Sequence, residues 1–156
     1  MKMACDMVKE KLIDEKTALL RIPAGDLVQL LLPSFDTKAK QASKDRLLTR
    51  GLAASPGAAV GKLAFSAEES VERTNAGEKV ILVRNETSPE DIDGMHSAIG
   101  ILTSTGGKTS HAAVVARGWG RCCVVGAGQI TINAKTRKMV VNGKTFTHKD
   151  TISIDG

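Results

Sequence analysis

The stretch KVILVRNETSPEDIDGMHSAIGILTSTGGKTSHAAVVARGWGRCCVV, residues 79–125, decides the fold of this chain. Three short apolar runs of the kind found in strands buried on both faces cover residues 79–84, 99–103 and 122–125. Between them, Ser88 is predicted to cap one helix, with Pro89 at its first position, and Thr109 or Ser110 is predicted to cap a second. An order of β-α-β-α-β favours parallel pairing with right-handed crossovers. We therefore predict an α/β fold.

The sequence before residue 51 predicts short helices. Apolar residues recur at helical spacing from Met3, and Asp14 is suited to cap a second helix. A third helix is predicted over residues 27–32, stopped by Pro33. The polar residues 34–46 are typical of a linker or exposed segment.

The sequence after residue 125 predicts a β tail. Ile130 and Ile132 alternate with polar residues, and Asn142-Gly143 is the dipeptide that most strongly favours a hairpin turn. A last short strand is predicted around Ile152 and Ile154.

Two further predictions concern elements before this tail. A strand is predicted between Val60 and Phe65, and the helix after Ser110 is expected to end at Gly118.

Composition excludes several classes of function. The 156-residue chain has 22 basic and 17 acidic side chains, and its net charge of +5 is typical of a solvated, mildly basic surface. The same charge would also suit an anionic substrate or an acidic partner domain. Aromatic residues make up 3%, so platforms for stacking bases are scarce and we expect no nucleic-acid partner. No apolar run reaches about 18 residues, and we expect no membrane insertion. Three cysteines without a C-x-x-C spacing argue against structural zinc and favour a reducing, cytoplasmic compartment.

The loop from Thr103 to Ser110 carries the chemistry. It follows a buried strand and opens a helix, so it lies where α/β folds place ligands. His111 falls in the first turn, where free N–H groups and the positive end of the helix favour both an uncharged ring and a bound anion. Gly107 lets the backbone approach closely, and Thr109 and Ser110 offer hydroxyl donors to a phosphoryl group. The small residues Ala112 and Ala113 are expected to leave this helix face open to a partner. We therefore predict that His111 is a nucleophile that carries a phosphoryl group.

The sequence of this loop allows two other interpretations. His111 at a helix start also fits a purely structural capping role. Residues 107–110, Gly-Lys-Thr-Ser, imitate the end of a nucleotide-binding P-loop, but the first glycine of that motif would fall on Leu102. Around the loop, Thr87 and Asp91 are candidates to support His111, with helix capping as the alternative. Arg117 is assigned to helix packing or charge pairing at the helix end.

The segment GGKTSHAAVVARG, from Gly106 to Gly118, resembles the phosphohistidine signature of the phosphoenolpyruvate-utilising enzymes. These include pyruvate, phosphate dikinase, phosphoenolpyruvate synthase and enzyme I of the sugar phosphotransferase system. Further similarity, in part to the dikinase branch in particular, is carried by residues 6–36, 51–61, 86–96 and 152–156. The resemblance thus extends over almost the whole chain.

The resemblance implies a swivelling β/β/α phosphohistidine domain over residues 51–156, after a helical segment, residues 1–50, that ends the nucleotide-binding half. In dikinases, ATP, phosphate and pyruvate are interconverted with AMP, pyrophosphate and phosphoenolpyruvate. The implied partners are the nucleotide-binding domain and the C-terminal pyruvate/phosphoenolpyruvate barrel of the same enzyme, in a homodimer. Those domains would bind ATP, phosphoenolpyruvate and Mg²⁺, so this chain is expected to hold no cofactor or metal and to have no turnover alone. In plant-type members, which can be plastidic, the position of Thr109 is phosphorylated by a regulatory kinase.

The chain departs from the family pattern within the loop. The family's usual arginine before the two glycines is Thr105 here, and its usual methionine after them is Lys108. These changes leave open a binding or regulatory module that kept the fold and lost transfer. An enzyme I type of carrier with an acidic protein partner is a third hypothesis, against which the dikinase-like residues 86–96 argue.

Overall fold

The computed structural model describes residues 2–23, 25 and 31–156. The chain divides into two compact units, residues 1–32 and 33–156. The described part of the first unit includes two short helices, α1 (Lys2–Lys9) and α2 (Glu15–Leu20). The Asp14 side chain caps α2 by accepting a hydrogen bond of 2.9 Å from the Thr17 N–H. Both helices were predicted, whereas most of the predicted helix at 27–32 lies outside the described residues.

Residues 34–46 were predicted to be a linker or an exposed segment. No residue of the segment is buried, so its exposure is confirmed, but it is not an irregular linker. This segment forms helix α3 (Thr37–Ala42) and a 3-10 turn (Lys44–Arg46). The Asp36 carboxylate caps α3 through the Ala39 N–H at 2.8 Å, and alanine, lysine and glutamine all favour helix. No residue of α3 is buried, so its sequence lacks the periodic apolar residues by which most helices are predicted.

The described part of the second unit forms a six-stranded sheet in the order β1-β5-β4-β3-β2-β9. Its strands are β1 (Leu52–Ser55), β2 (Ala58–Ala64), β3 (Val80–Arg84), β4 (Gly100–Thr103), β5 (Cys122–Val125) and β9 (Thr151–Asp155). Strands β2 to β5 are parallel to one another, while the edge strands β1 and β9 run antiparallel to their neighbours. The predicted parallel core is therefore confirmed.

A smaller antiparallel sheet follows, with strands β6 (Ile130–Asn133), β7 (Lys138–Val141) and β8 (Lys144–Thr147). The turn between β7 and β8 is made by Asn142 and Gly143, whose φ angles are 49° and 72°. Two consecutive positive φ angles define the hairpin turn that the Asn-Gly dipeptide favours. The predicted hairpin is confirmed.

Three helices pack on the large sheet: α4 (Ala67–Asn75), α5 (Ile92–Ser97) and α6 (His111–Trp119). A 3-10 turn, Pro89–Asp91, leads into α5 with the predicted capping box of Ser88 and Asp91. Helix α4 was not predicted, although the Ser66 side chain caps it through the Glu69 N–H at 3.1 Å. Helix α6 does not end at Gly118 as predicted. It continues to Trp119, and Gly120 forms the C-cap in the left-handed conformation, with a φ of 63°.

The second unit has three layers: the small sheet, the large sheet in the middle, and the helices. The strands of the large sheet turn alternate side chains to two cores. One core lies against the small sheet and includes Ile81, Leu102, Val124 and Met139. The other lies under the helices and includes Leu82, Ile101, Met95 and Ala113. This β/β/α arrangement confirms the predicted fold class.

Pro33 and Gly156, the first and last residues of the second unit, both lie near Gly57. The Gly57 carbonyl accepts a hydrogen bond of 2.8 Å from the N–H of Gly156. A Cβ atom placed on Gly57 would lie 4.0 Å from the carbonyl oxygen of Pro33. Within the part of the chain that the structure describes, no helix is long and apolar enough to cross a membrane.

Candidate functional site

His111 is the first residue of helix α6, just after the loop that follows strand β4. Because β3, β4 and β5 are parallel, their carboxyl ends meet at one end of the sheet, and His111 lies there. The side chain of Ser110 caps the helix by accepting from the Ala113 N–H at 3.4 Å. The imidazole is half-buried, so one side remains accessible.

The ring of His111 is held by a residue from the neighbouring strand. The hydroxyl oxygen of Thr87 lies 3.2 Å from Nδ1 of His111, and the Thr87 side chain is buried. Thr87 follows β3, so strand pairing brings the two residues together across 24 positions of sequence. Nε2 is the ring nitrogen that Thr87 does not contact.

Asn85 anchors the start of the loop. Its backbone carbonyl accepts hydrogen bonds from the N–H and the hydroxyl of Thr105, at 3.0 and 2.7 Å. Its side-chain oxygen accepts from the Ser104 hydroxyl at 3.1 Å. Sequence reasoning missed Asn85; the only signal was that it follows a buried strand at the carboxyl end of the sheet.

Two glycines let the loop turn tightly. Gly106 has a φ of 92°, and a Cβ atom on it would approach the Ser110 Cβ to 3.0 Å. A Cβ atom on Gly126, after β5, would lie only 2.7 Å from the Gly106 carbonyl oxygen. By contrast, a Cβ atom on Gly107 would meet nothing within 4 Å, so this residue borders open space.

The backbone of the loop presents a row of free donors. Among the described residues, no protein acceptor receives the N–H groups of Gly106, Gly107, Lys108 or Thr109. The N–H groups of His111 and Ala112 are first-turn donors without a helical partner. Free N–H groups beside a helix N-terminus are donors of the kind that bind anions.

The predicted phosphoryl ligands occupy different places in this arrangement. Thr109 is exposed and Gly107 is half-buried beside it. The Ser110 hydroxyl accepts the capping bond from Ala113 and keeps its own proton free to donate. All three surround the first turn that carries His111.

The prediction that Ala112 and Ala113 leave the helix face open is wrong. Both are buried, at 2% and 0% exposure, because this side of α6 packs on the sheet. The solvent side of the helix is formed by Val114, which is 54% exposed, and Gly118, where a Cβ atom would meet nothing within 4 Å. The open face also includes the exposed Arg117, and it is a different face from the predicted one.

Arg117 was assigned to helix packing or to charge pairing at the helix end, but its side chain is exposed and makes a different contact. Its guanidinium turns back to the loop and donates a hydrogen bond of 2.8 Å to the Lys108 carbonyl. Asp91, the other charged candidate, accepts from the Ser88 N–H at 2.9 Å and lies 3.3 Å from Nε of Arg84. Its carboxylate therefore serves the capping box, while Thr87 contacts His111. No cluster of His, Cys, Asp and Glu suited to a metal occurs in residues 2–23, 25 and 31–156.

Residues 76–156 match the family described as PEP-utilising enzyme, mobile domain. The match covers more than half of the chain, and the chain belongs to this family, as the sequence motif predicted.

The relatives that align with the full chain are pyruvate, phosphate dikinases. The enzyme of Clostridium symbiosum is 53% identical over 156 residues, which cover 100% of this chain and 18% of that protein. The chloroplastic enzyme of Mesembryanthemum crystallinum is 51% identical over 155 residues, 99% of this chain and 16% of that protein. Chloroplastic pyruvate, phosphate dikinase 1 of Oryza sativa subsp. japonica is 48% identical over 155 residues, which cover 99% of this chain and 16% of that protein. The chain thus spans about a sixth of the length of the curated relatives it matches.

Proposed function

We propose that this chain is the phosphoryl-carrier domain of a pyruvate, phosphate dikinase and that His111 carries the phosphoryl group. The observation that carries the proposal is the position of His111 on the first turn of α6, beside free N–H groups and with Nδ1 against Thr87. Membership in the mobile-domain family supports the same role.

Nε2 of His111 is the attacking atom. In the reactive tautomer, the proton sits on Nδ1 and is donated to the Thr87 hydroxyl oxygen, which leaves the lone pair of Nε2 free. Nε2 forms a bond to phosphorus while the bond between phosphorus and the leaving oxygen breaks, and the leaving group takes the electron pair. In the phosphorylated ring, Nδ1 can lose its proton and accept a hydrogen bond from Thr87 instead. Thr87 therefore suits the ring in both states.

The loop stabilises the transferred group. Its oxygens carry negative charge, and the free N–H groups of Gly107 and Thr109 are donors of the kind that helix N-termini provide. The hydroxyls of Thr109 and Ser110 add two further donors. Preorganised donors cost no reorganisation when the charge arrives, so they favour transfer in either direction.

The rest of the longer enzyme would supply both substrate sites. A nucleotide-binding domain would phosphorylate His111, and a C-terminal barrel would pass the group to pyruvate to give phosphoenolpyruvate, reversibly. ATP, phosphoenolpyruvate and Mg²⁺ belong to those domains in this proposal, and the parent enzyme is a homodimer. Residues 1–50 end the nucleotide-binding half, residues 51–156 form the carrier, and the chain alone does not turn over pyruvate.

Thr109 is the proposed regulatory site. It is exposed, and its hydroxyl is two residues before His111. A phosphate there would add about two negative charges next to the histidine and occupy the same donors. Both effects oppose the arrival of a second phosphoryl group.

The proposal is tested by phosphorylating the purified chain with phosphoenolpyruvate, Mg²⁺ and a separately prepared C-terminal barrel of a dikinase. We expect the intact mass to rise by one phosphoryl group that is lost in acid and retained in base. The chain has three histidines, so His96→Ala and His148→Ala serve as matched controls for His111→Ala. Only His111→Ala should fail to gain the group.

The contrary result is equally defined. If the barrel phosphorylates its own natural carrier but never this chain, the carrier role is wrong. The fold would then serve a binding or regulatory module, with Thr105 and Lys108 as the changed loop positions.

A further inference from the structure

The peptide between Lys108 and Thr109 is held from one side only. The guanidinium of Arg117 donates to the Lys108 carbonyl at 2.8 Å, while the N–H of Thr109 meets no acceptor in the described part of the chain. The two groups belong to one planar peptide unit, and no described peptide bond is cis. In a planar trans peptide, the carbonyl and the N–H point in opposite directions.

We propose that Arg117 is a positioning residue that turns the Lys108–Thr109 peptide so that the Thr109 N–H faces a phosphoryl group on His111. This inference rests on the proposed carrier function. Arg117 touches no reacting atom; it acts through the peptide. Without its hydrogen bond, the peptide could rotate and present the Lys108 carbonyl, whose partial negative charge repels a phosphoryl oxygen.

The bond to Arg117 also strengthens the donor. A carbonyl that accepts from a charged guanidinium is polarised, and the polarisation extends through the peptide to its N–H group. The planar guanidinium fixes the direction of its bond better than a flexible ammonium does. Arginine is therefore suited to this role in a way that lysine is not.

The remainder of the loop supports the same orientation. The N–H of Ser110 donates to the Gly107 carbonyl at 3.0 Å, which closes the turn around Lys108. Asn85 fixes the start of the loop, and the Ser110 cap fixes its end. The central peptide is the part that neither anchor reaches, and Arg117 is the described residue that holds it.

The test uses the 156-residue chain and potassium phosphoramidate, so no partner domain is needed. Nε2 of His111 forms the bond to phosphorus, the nitrogen–phosphorus bond of the donor breaks, and the ring proton leaves on ammonia as ammonium. The rate of mass gain and the amide proton shift of Thr109 are measured for the unmodified chain, Arg117→Gln and Arg117→Lys. Arg121→Gln is the matched control, because Arg121 donates a similar bond of 3.0 Å to the His96 carbonyl, away from the loop.

We expect the unmodified chain and Arg121→Gln to react at equal rates, with the Thr109 amide proton moving downfield on phosphorylation. Arg117→Gln should react about tenfold more slowly and lose that shift, while Arg117→Lys recovers part of both. Far-ultraviolet circular dichroism shows that each variant is folded.

The inference is overturned if folded Arg117→Gln reacts at the unmodified rate and keeps the Thr109 shift. Failure of the carrier function has a different signature. In that case the unmodified chain would gain no phosphoryl group that His111→Ala lacks.

Discussion

The Oγ1 atom of Thr87 lies 3.2 Å from Nδ1 of His111 and joins the ends of two neighbouring parallel strands. Replacing Thr87 with valine keeps the shape and removes the hydroxyl. We expect phosphoryl transfer to His111 to slow by about tenfold, because the ring loses the partner that selects its tautomer and orientation. Thr87→Ser, which keeps the hydroxyl, should stay within about threefold of the unmodified rate. Single-turnover mass spectrometry measures both, and equal rates for valine and serine would refute the role of the hydroxyl.

The two loop glycines are predicted to differ in their tolerance of alanine. Gly106→Ala places a Cβ atom on a backbone with φ of 92° and close to Ser110, and we expect a loss of at least about 1–2 kcal/mol of unfolding free energy. Gly107→Ala should change stability by less than about 0.5 kcal/mol, because its Cβ atom meets open space. Urea unfolding compares the two. Equal losses would mean that the turn is not strained at Gly106.

Helix α6 contains a second such pair. Gly118 lies within the helix with open space around it, so Gly118→Ala should stabilise the protein by about 0.5–1 kcal/mol. Gly120 has a φ of 63°, and Gly120→Ala should destabilise it by about 1 kcal/mol. Thermal unfolding reports both signs. A destabilising Gly118→Ala would show that the exposed face of α6 requires glycine for the fold itself.

Ion pairs around α4 are expected to make the free energy of unfolding decrease in acid. Burial alone would raise the pKa of Glu69, but hydrogen bonds from Arg137 and the Phe65 N–H, with the charges of Arg137 and Arg73, hold it below 4.5. A hydrogen bond from Arg73, together with one from Lys62, lowers the pKa of Glu78 in the same way.

Since the folded protein binds these protons less readily than the unfolded chain does, the carboxylates stabilise the fold fully above pH 4.5. That stability is lost as the pH falls through the lowered values. Glu69→Gln should therefore cost stability at about pH 7, and the cost should shrink by about pH 3. Urea unfolding at both pH values measures the difference. An equal cost at both would assign the effect of Glu69 to packing rather than charge.

The three cysteines are predicted to react very unequally. Burial raises the pKa of Cys122 to about 11 and that of Cys123 to about 12, so neither forms a thiolate readily near neutral pH. Cys5 on α1 is exposed. A disulfide reagent at about pH 8 should therefore modify one thiol rapidly in the folded chain and all three in urea. Rapid reaction of a second thiol in the folded protein would contradict the burial of the β5 pair.

The parallel core and the place of His111 were predictable because both depend on local signals. Buried strands appear as apolar runs, helix starts as capping residues, and the loop between them as paired glycines. Helices α3 and α4 escaped prediction because their surfaces are mostly polar, so burial leaves little periodic trace in their sequences. The end of α6 was misplaced at Gly118 because the sequence does not show which of two nearby glycines lies inside the helix and which ends it. In the structure, Gly120 has a positive φ and Gly118 does not, so Gly120 ends the helix.

The contacts that complete the site depend instead on how the strands and helices pack against one another. Thr87 was a candidate, but no local pattern specifies that its hydroxyl meets Nδ1 of His111. The mistaken open face at Ala112 and Ala113 has the same origin, since the side of α6 that faces the sheet is set by packing. The turn of Arg117 toward Lys108 follows from that orientation of the helix.

The proximity of Pro33 and Gly156 to Gly57 has a mechanical consequence. Ser55 and Gly57 lie beside the amino end of β5, whereas His111 follows the carboxyl end of β4. Pro33 and Gly156 of the second unit thus lie towards one end of the large sheet, and His111 lies at the opposite end. If this unit turned about Gly57 as a rigid body, His111 would be displaced far more than Gly57, and the interior packing would stay the same.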